Sequence, residues 1–169
     1  MRVLLFGDLH GDAEATRRIA AQLKQVECGF CLGDVVSFGR ELPEALDILD
    51  VGTDIYVLPG NHETEEAMRN GCAEHSHLHY FHGQHVAMGT TTFAGLGGGV
   101  EARFGMPFEL TENAASSLLK PFRKLPNLIL ISHTPPYDTA VDLARGNQHI
   151  GARSIRSFVL EARPSAVYS

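Results

Sequence analysis

The sequence has no tryptophan and only three cysteines in its 169 residues. So few thiols, in odd number, exclude a disulfide framework as the source of stability and fit reduced cysteines. Basic charge is also short. Fourteen Lys and Arg against 20 Asp and Glu give a formal charge of −6, which argues against gripping duplex nucleic acid through its phosphates. No apolar run approaches the ~20 residues that span a bilayer. The apolar opening, Met1 to Phe6, runs at once into Asp8, His10 and Asp12. A signal peptide does not tolerate such residues in its hydrophobic region, so a cytoplasmic chain with no membrane partner is expected. Low complexity is missing too: 44% of residues are apolar, and 17 glycines and eight prolines supply turns, which excludes collagen, coiled coil and disorder. A chain of this length buries roughly 70% of its unfolded surface, as one domain over 1–169. Histidine, by contrast, is abundant, with nine residues.

Four short apolar runs end abruptly in polar residues able to bind metal. Val3 to Phe6 leads into Gly7-Asp8-Leu9-His10-Gly11-Asp12, and Phe30 to Leu32 into Gly33-Asp34; Ile55 to Leu58 leads into Pro59-Gly60-Asn61-His62-Glu63, and Leu128 to Ile131 into Ser132-His133. Runs without alternation suit strands buried on both faces of an α/β sheet, whose carboxyl edge is where such sheets bind ligands. Helical periodicity fills the gaps. Asp12 is placed to cap a helix through Ala15, Ile19, Ala20 and Leu23, and Pro43 falls in the first turn of a helix through Leu46 and Leu49. Thr64 and Thr111 are candidate caps of two further helices, the second ending before Pro121. Val86 to Met88 and Thr90 to Ala94 flank Gly89 as a hairpin would, which predicts a mixed sheet. A long loop is expected from Gly95 to Pro107, a last helix from Arg153 to Glu161, and a fifth strand at Ala166 to Tyr168. By the logic of the other four that strand should deliver ligands at its end, yet the chain stops at Ser169, so the pattern reads as cut off.

Asp8 and His10, one residue apart at a strand end, can address one cation through oxygen and nitrogen. Asp34 brings two carboxylate oxygens, which can be shared between two ions. Asn61 offers an amide oxygen and His133 an imidazole. Such mixed donors suit Mn, Fe, Zn, Ni or Co, and two divalent ions ~3.5–4 Å apart clamp both the attacking and leaving oxygens in phosphoryl transfer. His62, beside Asn61, can then protonate a leaving alkoxide or stabilise charge on the phosphoryl group. Singly, each of these residues is more often a turn or a helix cap; the repetition on four strands makes the joint reading a metal site. Imidazole ligands bind deprotonated, so occupancy should fall as pH drops below about 6.5, the ordinary imidazole value.

The ordered set Asp8-Leu9-His10, Gly33-Asp34, Gly60-Asn61-His62-Glu63 and Ser132-His133 resembles the successive motifs of the calcineurin-like metallophosphoesterases, over nearly the whole chain. Gly95-Leu96-Gly97-Gly98, His133-Thr134-Pro135-Pro136-Tyr137 with Asp142, and His149-Ile150-Gly151-Ala152 are similar to the small Icc-related predicted phosphoesterases. The resemblance implies an α/β fold of two facing mixed β-sheets flanked by helices, a four-layer sandwich here lacking its last strands. It implies that Asp8, His10 and Asp34 hold one metal and Asp34, Asn61 and His133 the other. A bridging hydroxide would attack phosphorus in line, His62 would assist the departing alcohol, and Glu63 would orient. Two features depart from the family. The usual closing Gly-His-x-His motif is absent, which leaves three protein ligands per ion, and Ser37 stands where relatives often carry an acid. Manganese is the ion expected to work in vitro, on phosphodiesters or phosphomonoesters such as nucleotides. The alternative is a nucleotide- or metal-binding module with little turnover; a third option is a His-rich metal-handling protein. Edge strands could also pair two copies of the chain.

Other signals weigh less. His75, His77, His79, His82 and His85 fall within eleven residues; the first three would share a strand face, read as a solvated hairpin, with a pH-sensitive or metal-binding surface as the alternative. Cys28 and Cys31 lie in one predicted strand with side chains on opposite faces, as buried structural thiols. The glycine run from Gly95 lacks a dinucleotide or P-loop pattern and is expected to form a tight bend bordering the site. Arg103, Phe104 and Phe108 are candidates for a substrate entrance, or for a packed loop.

Overall fold

The computed structural model describes residues 1–101, 105–144 and 146–169. Three βα repeats and a fourth strand open the chain. Strands β1 (Val3–Phe6), β2 (Cys28–Cys31), β3 (Ile55–Val57) and β4 (Leu78–Tyr80) form a parallel sheet in that order, joined by helices α1 (Ala13–Leu23), α2 (Leu42–Leu49) and α3 (Glu65–Ala73). The local signals act as predicted. The Asp12 side chain accepts from the backbone N–H groups of Glu14 and Ala15, Thr64 caps α3 through Ala67, and Pro43 sits in the first turn of α2.

A second sheet has the order β10-β9-β6-β5, from β5 (His85–Met88), β6 (Thr91–Leu96), β9 (Leu128–Ser132) and β10 (Ala166–Tyr168). Only β5 is antiparallel, so the mixed character belongs to this sheet alone. Its hairpin turns on Gly89, whose φ of 62° suits the first position of a two-residue loop. The loop expected from Gly95 to Pro107 is shorter than predicted, since Gly95 and Leu96 close β6, and β7 (Gly99–Val100) within it pairs in parallel with β8 (Glu109–Leu110) beyond Pro107. Helix α4 (Glu112–Leu119), a 3₁₀ turn over Lys120–Lys124 and α5 (Arg153–Ala162) follow.

Three apolar clusters define the layers. Phe6, Cys31, Ile55 and Val57 pack under α1–α3; Phe30, Cys28, Phe81, Phe93 and Ile131 fill the space between the sheets; Ala94, Leu130, Phe122, Ile155 and Phe158 bind the second sheet to its helices. Phe30 stacks on Phe93 across the gap at 4.6 Å. Cutting Phe30 to Ala would cost about 3–5 kcal/mol at such a site. Cys28 and Cys31 occupy opposite faces of β2, and all three thiols are free and buried; burial pushes Cys72 up to about 12, which makes it inert. No helix is long and apolar enough to cross a membrane, among the described residues.

The histidine-rich stretch is not a hairpin face. Of its alternating members only His79 lies in β4, which pairs in parallel with β3, and the segment passes from one sheet to the other. Each has its own aspartate instead: His75 with Asp47 at 3.0 Å, His77 with Asp50 at 3.0 Å and His79 with Asp54 at 2.9 Å. His75 also donates to the Gly71 carbonyl near the end of α3, where a helix favours positive charge.

Candidate metal centre

The loops after β1 and β2 continue the parallel pairing beyond the strands. Asp8 N–H donates to Gly33 O, His10 N–H to Asp34 O and Gly11 N–H to Val35 O, all at 2.9–3.0 Å. To turn their side chains toward a common point, Asp8, His10 and Asp34 take φ of 53°, 48° and 52°. L-residues adopt that left-handed region at a cost of about 1–2 kcal/mol each, typically where a site requires it. Gly60 makes room: a Cβ there would stand 2.0 Å from Asp34 Oδ1, and one on Gly33 would meet Gly60 N at 2.4 Å.

Asp34, 5% exposed, is the hub. Its Oδ2 lies 3.8 Å from His10 Nε2 and 3.9 Å from His62 Nε2; its Oδ1 lies 3.8 Å from His133 Nε2 and accepts from His62 N–H. His133 is brought in from β9, and its Nε2 is 2.8 Å from Asn61 Oδ1. Asp8 stands at the solvent side, its Oδ1 3.8 Å from His10 Nε2. The structure therefore places His10 and His62 at one edge of Asp34, with Asp8 beside His10 on the solvent side, and His133 with Asn61 at the other. His10, Asp34 and His62 alone have donor atoms within 4.8 Å of one another, among the described residues. His62 thus sits among the candidate ligands.

This donor set fits divalent metal. Nδ1 of His133 is 2.9 Å from the Leu32 carbonyl, which only accepts, so Nδ1 carries the hydrogen. In the deprotonated form that binds metal, the Nε2 lone pair faces Asn61 Oδ1, itself an acceptor. Two converging lone pairs are relieved by a cation between them, and a carbonyl-oriented His is a common device for holding a ligand ring.

Glu63 is fully buried, and its hydrogen bonds go to the backbone rather than to His62 Nδ1. Its carboxylate accepts from the backbone N–H groups of Asp34, Val36 and Gly60 and so ties the second loop to the third. Burial raises its pKa, outweighing those hydrogen bonds. Its orienting action thus falls on the backbone. His62 Nδ1 is buried without a partner, and Ser37 bonds the His10 carbonyl rather than His62.

The glycine run borders this region: Gly98 N–H donates to Pro59 O and Gly97 N–H to Nδ1 of buried His82. Phe108 is packed against Gly98 and His82, its N–H on Asn61 O, and it edges a cleft of about 510 Å³ with Thr64, Glu66 and Arg69. Arg103 and Phe104 lie outside the described residues. Two residues gain weight only here. Phe38, an exposed aromatic, meets the His62 ring at 4.8 Å; its only sequence signal is an aromatic between Ser37 and Gly39. Asp142 is buried and gathers N–H groups from Asp138, Thr139 and Gly151 and the His149 ring at 2.7 Å.

A four-layer α/β/β/α fold with Asp, His and Asn donors at its strand ends defines a metal-dependent phosphoesterase. The chain belongs to the calcineurin-like phosphoesterase family, which it matches over residues 1–169. It is 28% identical over 164 residues to the uncharacterised protein MJ1162 of Methanocaldococcus jannaschii, covering 94% of this chain and 73% of that one. Its fold is similar to TT1561 of Thermus thermophilus, with a TM-score of 0.74 and 17% identity over 98% of this chain and 79% of the other. It is also similar to a dimetal phosphatase from Danio rerio, with a TM-score of 0.57 and 14% identity over 98% and 78%.

Proposed function

We propose that the chain hydrolyses phosphodiesters or phosphomonoesters, nucleotide-like ones among them, at a dinuclear centre. Asp8, His10 and Asp34 would hold one divalent ion and Asp34, Asn61 and His133 the other. The observation that carries this reading is Asp34, whose two oxygens face two separate donor groups. The description of the Danio rerio neighbour as a dimetal phosphatase supports it. Two such ions, when bound, neutralise the phosphoryl oxygens and make water a stronger acid and hence a better nucleophile at neutral pH.

The chain's own residues do the rest. Asp34, clamped by Glu63 through the backbone, fixes the hub. The Leu32 carbonyl holds the His133 ring. Water attacks phosphorus opposite the ester oxygen; the new P–O bond forms as the ester P–O bond breaks, and the leaving oxygen takes the bonding pair. His62, its Nδ1 enclosed and its Nε2 toward the centre, gives that oxygen the Nε2 proton of its protonated ring and is left as neutral imidazole, while the water's proton passes to solvent.

Mn²⁺-dependent hydrolysis of bis(p-nitrophenyl) phosphate tests the reading, with Asp34→Asn alongside. Turnover that requires both Mn²⁺ and Asp34 is expected. Tight Mn²⁺ binding with no turnover would favour a binding module instead.

A further inference from the structure

Phe38 is 62% exposed and stands four residues after Asp34. It gains little from burial, and its backbone is strained. The Ser37 carbonyl accepts from Arg40 N–H at 3.3 Å, and the two residues between, Phe38 and Gly39, have φ of 53° and 69°. Two positive φ values in that place make a type I′ turn, which favours Gly, Asn or Asp; a bulky residue there is an outlier. The flanks hold it in place. Val35 and Val36 are fully buried, Val36 N–H donates to Glu63 at 2.9 Å, and Ser37 Oγ donates to the His10 carbonyl. Its ring meets His62 at an interplanar angle of 64°, so the two do not lie stacked over one another. Strain kept at an exposed apolar ring beside a reacting group points to function rather than folding.

We propose that Phe38 is a specificity-determining platform on which a flat aromatic group of the substrate stacks, so that the preferred substrates are phosphoesters carrying an aryl ring or nucleobase on the leaving side. The inference rests on the phosphoesterase reading and adds the class of substrate. His62 is the group proposed to protonate the leaving oxygen, and Phe38 is its neighbour. Whatever that oxygen carries therefore emerges beside the exposed ring.

The test uses calorimetric binding of two non-hydrolysable probes, the phosphonate analogues of adenosine 5′-monophosphate and of ribose 5-phosphate, to the metal-loaded protein. They differ only in the base. The wild type should bind the adenine probe at least about five-fold tighter, the lower end of what one stacked base contributes. Phe38→Leu should erase that preference without weakening the ribose probe, and Phe38→Tyr should keep it. Phe38→Gly, which relieves the strained turn, should melt at or above the wild-type temperature. Equal affinity of the wild type for both probes, equal weakening of both by Phe38→Leu, or a Phe38→Gly variant that melts several degrees lower would overturn the platform. Failure of the phosphoesterase reading looks different: no Asp34-dependent turnover of bis(p-nitrophenyl) phosphate, with the adenine preference still tied to Phe38.

Discussion

Two four-stranded sheets face each other, yet they contribute unequally to the centre. The first sheet delivers Asp8, His10, Asp34, Asn61 and His62 from three consecutive strand ends, whereas the second delivers His133 alone. Topology accounts for the difference. Every strand of a parallel sheet ends at the same edge, so each βα loop can add a ligand there. In the second sheet β5 runs the other way, and the end of β6 goes to the glycine run against Pro59. Conformation differs as well: three donors of the first sheet have left-handed backbone, while His133 does not and relies on a hydrogen bond to orient its ring. The first half carries the strain of the site, and the second half closes it.

Substitutions can break this asymmetry in order of size. Asp34→Asn should lower Mn²⁺-dependent turnover about 10³-fold, since it removes charge that both donor groups share. His133→Asn, at the edge of the hub, should act mainly through metal affinity, by about 10–100-fold in a calorimetric titration. Equal effects in both assays would contradict the hub role of Asp34.

Glycines sharpen the contrast. In Gly60→Ala the new Cβ would lie 2.0 Å from Asp34 Oδ1 and 2.3 Å from its backbone nitrogen, so urea denaturation should show a loss of about 2–3 kcal/mol. Gly89→Ala, in the hairpin of the second sheet, meets nothing within 4 Å but keeps a positive φ, and should cost about 1 kcal/mol.

Asp142 reports on the loop after β9. Burial works against its charge, but His149 and the N–H groups of Thr139, Gly151 and Asp138 outweigh it and hold the carboxyl well below the usual range. A depressed carboxylate stabilises the fold above its ordinary pKa and loses that contribution as pH falls through the folded value. Asp142→Asn should therefore cost about 2 kcal/mol at pH 7, and its deficit in chemical denaturation should narrow below pH 4.

The smallest effect belongs to the His–Asp pairs. Burial opposes charge on His75, yet the Gly71 carbonyl and Asp47 raise its pKa overall. A raised imidazole stabilises the fold below its ordinary value and ceases to do so as pH rises through the folded one. His75→Ala should cost under about 1 kcal/mol, as exposed pairs do, and more at pH 5.5 than at pH 8.

Much of this was legible in one dimension because strand ends and helix caps are local. Asp12, Thr64 and Thr111 cap the helices they precede, and apolar runs of three to five residues mark the strands. The His75–His79 alternation misled because β4 is too short to make a face and because their aspartates lie 25–28 residues earlier. Glu63 likewise binds a loop 27–29 residues away, which no spacing rule reveals.

The sequence by itself determined which donors exist, that they follow four strands, and the family to which they belong, since those features depend on short-range order along the chain. The tertiary structure alone decided that Asp34 stands between two donor groups, that Gly60 leaves it room, and that Phe38 faces water beside His62. Those relations depend on loops packed across the sheets, where a few ångströms separate His62 from Phe38, 24 positions earlier, and His133 from Asp34, 99 positions earlier.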